Sequence, residues 1–137
     1  MTLKVFTDGG SKGNPGPSSI GIVFYAEDKV VLEHKEAIGI ATNNDAEYTA
    51  LIRALEKIID NYKLRPTTAL HFNKIEFYSD SRLMVNQVKG LFKVKNGKIK
   101  EYILKIRGLE QEIGLPITYN YVPRERNKKA DLLVNSV

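Results

Sequence analysis

The stretch KVFTDGGSKGNPGPSSIGIVF (Lys4–Phe24) decides how the chain begins to fold. Apolar and polar residues alternate through Leu3–Thr7, the period of a half-buried strand. The run then meets a carboxylate, Asp8, followed at once by sequence rich in Gly and Pro that interrupts regular structure. Beyond it, SSIGIVFYAED and KVVLEHKEAIG read as two further strands joined by a short turn near Glu27–Lys29, so the chain opens as an antiparallel meander. An Asp at a strand end has an ordinary use, bonding its own backbone in a turn. Asp8 becomes informative only if other carboxylates arrive at the same place.

Downstream the period changes. NNDAEYTALIRALEKIIDNY sets Tyr48, Leu51, Leu55, Ile58 and Ile59 at helical spacing, one face of a long amphipathic helix. KIEFYSD returns to strand character, SRLMVNQVKG reads as a helix closed by Gly90, and a further helix runs from about Lys98 to Ile113. After Gly114 and Pro116, ITYNYV is a strand and NKKADLLVNSV a terminal helix; KLRPTTALHFN (Lys63–Asn73) is the least regular stretch. The order β-β-β-α-β-α-α-β-α implies an α/β fold. Its five-stranded sheet is mixed, an antiparallel meander plus parallel strands reached by right-handed crossovers, with helices on both faces.

In such sheets the C-terminal ends of parallel strands and the N-termini of neighbouring helices line one crevice. Four acids fall at these positions. Asp8 closes the first strand, Asp80 closes KIEFYSD, Glu47 lies in the first turn of the long helix and Asp131 near the start of the last. Each also has a local use: Asn44 and Glu47 have the spacing of a capping box, Asp80 can cap the helix after it, and Asp131 can complement a helix dipole. Jointly, carboxylates at one rim repel one another unless a cation neutralises them. Oxygen donors without a competing His or Cys cluster suit Mg²⁺ or Mn²⁺.

Length and charge bound the remainder. The 137 residues amount to one domain, 1–137, with no apolar run near the roughly 20 residues that cross a bilayer. There is no leader-like h-region and no cysteine, so a cytoplasmic protein without disulfides or thiolate metal sites is expected, away from membranes. Lys and Arg number 21 against 16 Asp and Glu, a net charge of +5. Between Lys89 and Arg107 seven residues are basic and only Glu101 is acidic, so this segment carries more than the whole excess. Such a stripe fits a polyanion partner, or else a solvated helix face. Gly9, Gly10, Gly13 and Gly16 form a Gly-rich turn, but it has neither a Lys-Ser/Thr ending nor the G-x-G-x-x-G pattern of nucleotide sites.

Four segments, FTDGGSKGNPGPSSIG, TNNDAEYTAL, YSDSRLMVNQVKG and VPRERNKKADLL, resemble in order and spacing the motif blocks of type 1 ribonuclease H, over nearly the whole chain. The resemblance implies a ribonuclease H-like fold and a monomeric endonuclease that cuts the RNA strand of RNA/DNA hybrids with two Mg²⁺ or Mn²⁺ ions. It also implies that Asp8, Glu47, Asp80 and Asp131 are the catalytic, metal-binding acids. Substrate contacts are implied at Gly9, Asn14, Thr42, Asn43, Asn44 and Ser81, and at Arg82, where relatives often carry Gln. From their charge, Lys93, Lys95 and Lys98 of the stripe and Arg124 and Arg126 of the last loop are expected to add substrate contacts.

Besides Arg82, other features depart from the family pattern. Relatives often place a His before the last carboxylate, whereas PRERNKKAD has none and His34 and His71 lie elsewhere. The basic protrusion of some bacterial relatives is shortened. No separate hybrid-binding domain is expected ahead of Met1. Two other readings stay open: a non-catalytic nucleic-acid-binding domain of the same fold, and an enzyme that also cleaves double-stranded RNA, which shares A-like shape and 2′-hydroxyls. An actin-like phosphotransferase, which also opens on a strand and an Asp-Gly turn, needs two such domains.

Overall fold

Leu3, Val5 and Thr7 turn to one face of the first strand and are buried there, while Phe6 turns to the other. In the computed structural model, which describes residues 1–63 and 71–137, this strand is β1 (Thr2–Ser11), the middle of a five-stranded sheet of order β3-β2-β1-β4-β5. β2 (Gly16–Ala26) and β3 (Lys29–Ala41) complete the antiparallel meander. They are joined by Glu27 and Asp28, whose φ values of 50° and 65° suit a two-residue turn of the I′ kind. β4 (Lys74–Ser79) runs parallel to β1, and β5 (Ile117–Tyr121) parallel to β4. The mixed sheet is the one expected; most of the loop read at Lys63–Asn73 lies outside the described residues.

One expectation is corrected. Asp8 does not close β1, because the strand continues to Ser11 on its pairing with β2 (Ser11 opposite Ser18). What stops there is the other neighbour: the β1–β4 ladder ends at Thr7 opposite Ser79. Asp8 is thus the first residue at which β1 has a partner on one edge only.

The helices take their places by burial. α1 (Asn43–Ile58), continued by a π-helical turn at Ile59–Lys63, lays Tyr48, Leu51, Leu55 and Ile58 over Leu3, Val5, Ile20, Ile22 and Phe24. Each such side chain contributes about 1.5–3 kcal/mol when fully buried, so this stripe outweighs the roughly 1 kcal/mol of a cap and seats the helix on the sheet. α2 (Arg82–Val88) adds Met84, Val85 and Val88 to the same core, and α3 (Gly97–Ile113) adds Ile99, Ile106 and Ile113. The opposite face of the sheet carries α4 (Lys128–Asn135), which buries Ala130 and Val134. No helix among the described residues is long and apolar enough to cross a membrane.

The local uses imagined for two acids fall to their neighbours. The capping box of α1 is formed by Thr42 and Asp45, not Asn44 and Glu47: Thr42 has extended backbone and accepts from the Asp45 amide at 3.0 Å. Ser81, not Asp80, caps α2, accepting from Met84 N–H at 3.2 Å. Glu47 and Asp80 are left free for another purpose.

Candidate active site

Because the parallel register sets Thr7 beside Ser79, the residues that follow, Asp8 and Asp80, emerge side by side where the two strands part. Beyond Thr7 the edge of β1 that faced β4 has no strand to bond, and α1 covers it with side chains. Gly9 N–H donates to Glu47 Oε1 and Ser11 N–H to Asn43 Oδ1, both at 2.8 Å. Alternate residues of a strand address the same edge, so these two bonds continue the interrupted ladder.

Glycine at position 9 makes the approach possible. A Cβ there would lie 2.4 Å from the backbone C and O of Ala46 and 2.6 Å from the Glu47 nitrogen. Gly9→Ala is therefore expected to cost about 1–3 kcal/mol, the range for overpacking against atoms that cannot yield. Denaturant unfolding measures that loss; a wild-type value would contradict the close approach.

Asp8, Glu47 and Asp80 each bring a carboxylate oxygen within 4.8 Å of the others. Asp131, in the first turn of α4, stands outside that trio but lines, with Asp8 and Glu47, one cleft of about 420 Å³. A second glycine admits α4: Gly21 pairs with Asp8 across the β1–β2 ladder, and a Cβ on it would meet the Ala130 carbonyl oxygen at 2.4 Å. Asn127, buried at the start of α4, donates Nδ2–H to the Thr7 carbonyl at 2.9 Å and so ties that helix to the residue before Asp8. The sequence reading missed Asn127. Its signal was an Asn in N-cap position four residues before Asp131, although its side chain serves the strand instead of capping the helix.

The cluster is electrostatically unsatisfied. Burial first, then the charges of Asp80 and Asp131, push the Asp8 carboxyl up to about 8. Burial also raises Glu47 well above the carboxylate range, reinforced by Asp8 and Asp80 and opposed by the Gly9 amide and Arg124. Asp80 Oδ2 is buried without a hydrogen-bond partner, and the nearest cation found, Arg124 Nε, stands 3.7 Å away on a side chain that is 79% exposed. Repelling acids, an orphaned oxygen and hard oxygen donors fit a divalent cation.

The residues implied as substrate contacts are placed as follows. Asn43 Oδ1 accepts from Ser11 N–H, and Asn43 N–H donates to Asn14 Oδ1 at 3.0 Å. Since the partner is a backbone N–H in both cases, each amide must turn its oxygen to that N–H and keeps both N–H donors for an incoming strand. Thr42 and Ser81 are the caps of α1 and α2, and Asn44 is half-buried in the first turn of α1. Arg82 sits over the Tyr121 ring, 4.5 Å from its centroid. Lys93, Lys95 and Lys100 are exposed, whereas Lys98 is paired with Asp45 at 3.2 Å. Arg124 lines the carboxylate cleft and Arg126 a separate cavity. Neither histidine joins them: His34 bonds Glu36, and His71 lines an apolar cavity with Tyr62 and Phe72.

Residues 6–137 match a family model described as reverse transcriptase-like. The chain is 40% identical over 137 residues to the bifunctional protein Rv2228c of Mycobacterium tuberculosis, which takes in 98% of this chain and 35% of that one. It thus spans about a third of the length of that relative. With a ribonuclease HI of Halobacterium salinarum it shares 36% identity over 135 residues, 97% of this chain and 62% of the relative. The structure of LC11-RNase H1 in complex with an RNA/DNA hybrid has a TM-score of 0.88 at 39% identity, covering 98% of this chain and 95% of that one. RNase H1 from Halobacterium salinarum gives a TM-score of 0.87 at 35% identity, covering 99% and 96%. Identity at this level across nearly all of two ribonucleases H1, carried on the same fold, is decisive: this chain belongs to the type 1 ribonuclease H family.

Proposed function

We propose that residues 1–137 form one catalytic domain, an endonuclease that hydrolyses the RNA strand of RNA/DNA hybrids, with Asp8, Glu47, Asp80 and Asp131 holding two divalent cations, Mg²⁺ or Mn²⁺. The observation that supports this most is the convergence of carboxylates from β1, α1 and the end of β4 within 4.8 Å. When bound, such a cation pair stabilises both oxygens of an in-line displacement and makes water a nucleophile near neutral pH. The chain's own residues do the holding. Gly9 orients Glu47, Asn127 and Gly21 seat the helix of Asp131, and Arg124 keeps a permanent positive charge at the rim where relatives often carry His.

Substrate class follows from the donors and from the relative whose structure holds an RNA/DNA hybrid. Asn14 and Asn43 present amide N–H groups, which suit ribose O2′ and minor-groove base acceptors. The protein is read as a cytoplasmic monomer. The test compares labelled hybrid, RNA duplex and DNA duplex at equal salt, with Mg²⁺ and with chelator. Metal-dependent cleavage of the RNA strand in the hybrid is expected. Binding without cleavage under every condition would leave a nucleic-acid-binding domain, and equal cleavage of RNA duplex would widen the substrate.

The basic stripe yields a graded prediction. Lys93, Lys95 and Lys100 make no ion pair among the described residues, so replacing each with Ala should lower the slope of log affinity against log salt by about 0.9 for every phosphate the lysine neutralises. Lys98→Ala should change the slope less, since its charge already faces Asp45. Equal slopes for all four variants would contradict that division.

A further inference from the structure

We infer that the sheet face opposite the main core holds a second nucleic-acid site: a base-stacking cavity for a single-stranded segment running on from the carboxylate cleft. The inference rests on the reading just given. Its floor is aromatic. Phe6 on β1 stacks on Tyr78 of β4, with centroids 4.8 Å apart and planes at 17°, and meets Tyr25 of β2 edge-on at 5.4 Å and 77°. All three residues are only half-buried, so α4 does not seal the row. A cavity of about 250 Å³ opens between Phe6, Tyr25 and the start of α4.

The rim is cationic. Arg126, Lys128 and Lys129 stand against one acid, Glu125. Lys129 is paired with Glu33 at 2.9 Å, while Arg126 and Lys128 have no ion-pair partner among the described residues. Aromatic rings beside Lys and Arg are how proteins hold single strands with little regard to sequence, since every base has a face to stack and every nucleotide a phosphate. A duplex keeps its bases covered, and an acidic peptide would use the cations but not the rings. The combination therefore favours an unpaired nucleic-acid strand.

Position joins this cavity to the cleft. The short 3-10 turn Arg124–Arg126 separates the two and puts an arginine on each side, Arg124 lining the carboxylate cleft and Arg126 the aromatic cavity. A strand leaving the cleft past Arg124 meets Arg126 next. Asn127 belongs to the same wall, and its Oδ1 is buried without a partner while its Nδ2 serves Thr7.

The experiment is fluorescence anisotropy in chelator, where cleavage is off, with a blunt hybrid, the hybrid extended at either end by a short single strand, the same extension made abasic, and the free single strand. An extension at one end is expected to tighten wild-type binding about fivefold or more, the lower end of one stacked base, and the abasic extension to lose most of that gain. Tyr25→Leu, which changes no charge, and Lys128→Ala should lose the gain, Tyr25→Phe should keep it, and all three should bind blunt hybrid as wild type does. No gain in wild type, or a gain that survives both the abasic extension and Tyr25→Leu, would overturn the inference. Failure of the enzymatic reading shows separately, as uncleaved blunt hybrid in Mg²⁺. In that case the free strand still decides: binding lost in Tyr25→Leu supports the cavity, and binding absent or unchanged refutes it.

Discussion

Asp8→Asn is expected to lower hybrid cleavage by about 10³-fold or more while hybrid affinity in chelator stays within about threefold, because the loss is of transition-state stabilisation worth several kcal/mol. Asp8 is singled out by its position. It lies between Asp80 and Asp131 and is the acid on which both act, so an amide there removes charge from the centre of the cluster. Asn is nearly isosteric, and the fold around it needs no carboxylate. Single-turnover cleavage with saturating enzyme separates the two quantities. A variant retaining a tenth of wild-type rate would show that Asp8 is not central to the chemistry.

The same substitution is expected to stabilise the cation-free protein, with a sign set by the raised carboxyl. Asp8 ionises near 3.8 in the unfolded chain and is pushed up to about 8 in the fold. Between those values the native state holds a proton that the unfolded chain has released, so native stability is fully present below about pH 4 and declines as pH rises towards 8. Glu47, also raised, acts in the same direction. One group contributes a slope of at most about 1.4 kcal/mol per pH unit, and a total of a few kcal/mol is expected for the coupled cluster. Glu36 and Asp45, held low chiefly by their partners Arg53 and Lys98, act oppositely, but only in acid, where they take up protons. Urea unfolding in chelator from pH 5 to 8 should show wild type losing stability, Asp8→Asn losing much less, and Mg²⁺ restoring wild type at the alkaline end by binding the ionised cluster. Wild-type stability that is flat or rising over this interval would contradict the geometry of the site.

What was legible in the sequence, and what was not, divides by range. Tyr48, Leu51, Leu55 and Ile58 announce α1 because burial on one helix face leaves a period in the residues themselves. That Asp8, Glu47 and Asp80 come together was legible because strand ends and helix starts converge in a sheet of this order. The place where β1 loses one of its two neighbours was not, since it depends on where β4 stops, about seventy residues later in the chain. The partner of Glu47 was hidden for the same reason: a capping box is local, whereas its bond is to Gly9, 38 positions away. Lys98 reads as a free phosphate contact until the fold brings Asp45 to it across 53 positions. Asn127 went unread because its bond is to the Thr7 carbonyl, 120 positions away.

The two glycines beneath the helices carry a consequence for engineering. Both acid-bearing helices abut the strands main chain to main chain at Gly9 and Gly21, so the jaw width of the site is gauged by peptide planes and not by the oily filling between layers. Heat-hardened versions obtained by refilling Leu51, Leu55 or Ile106 should keep the original aperture, whereas a methyl group at Gly9 or Gly21 would re-gauge it.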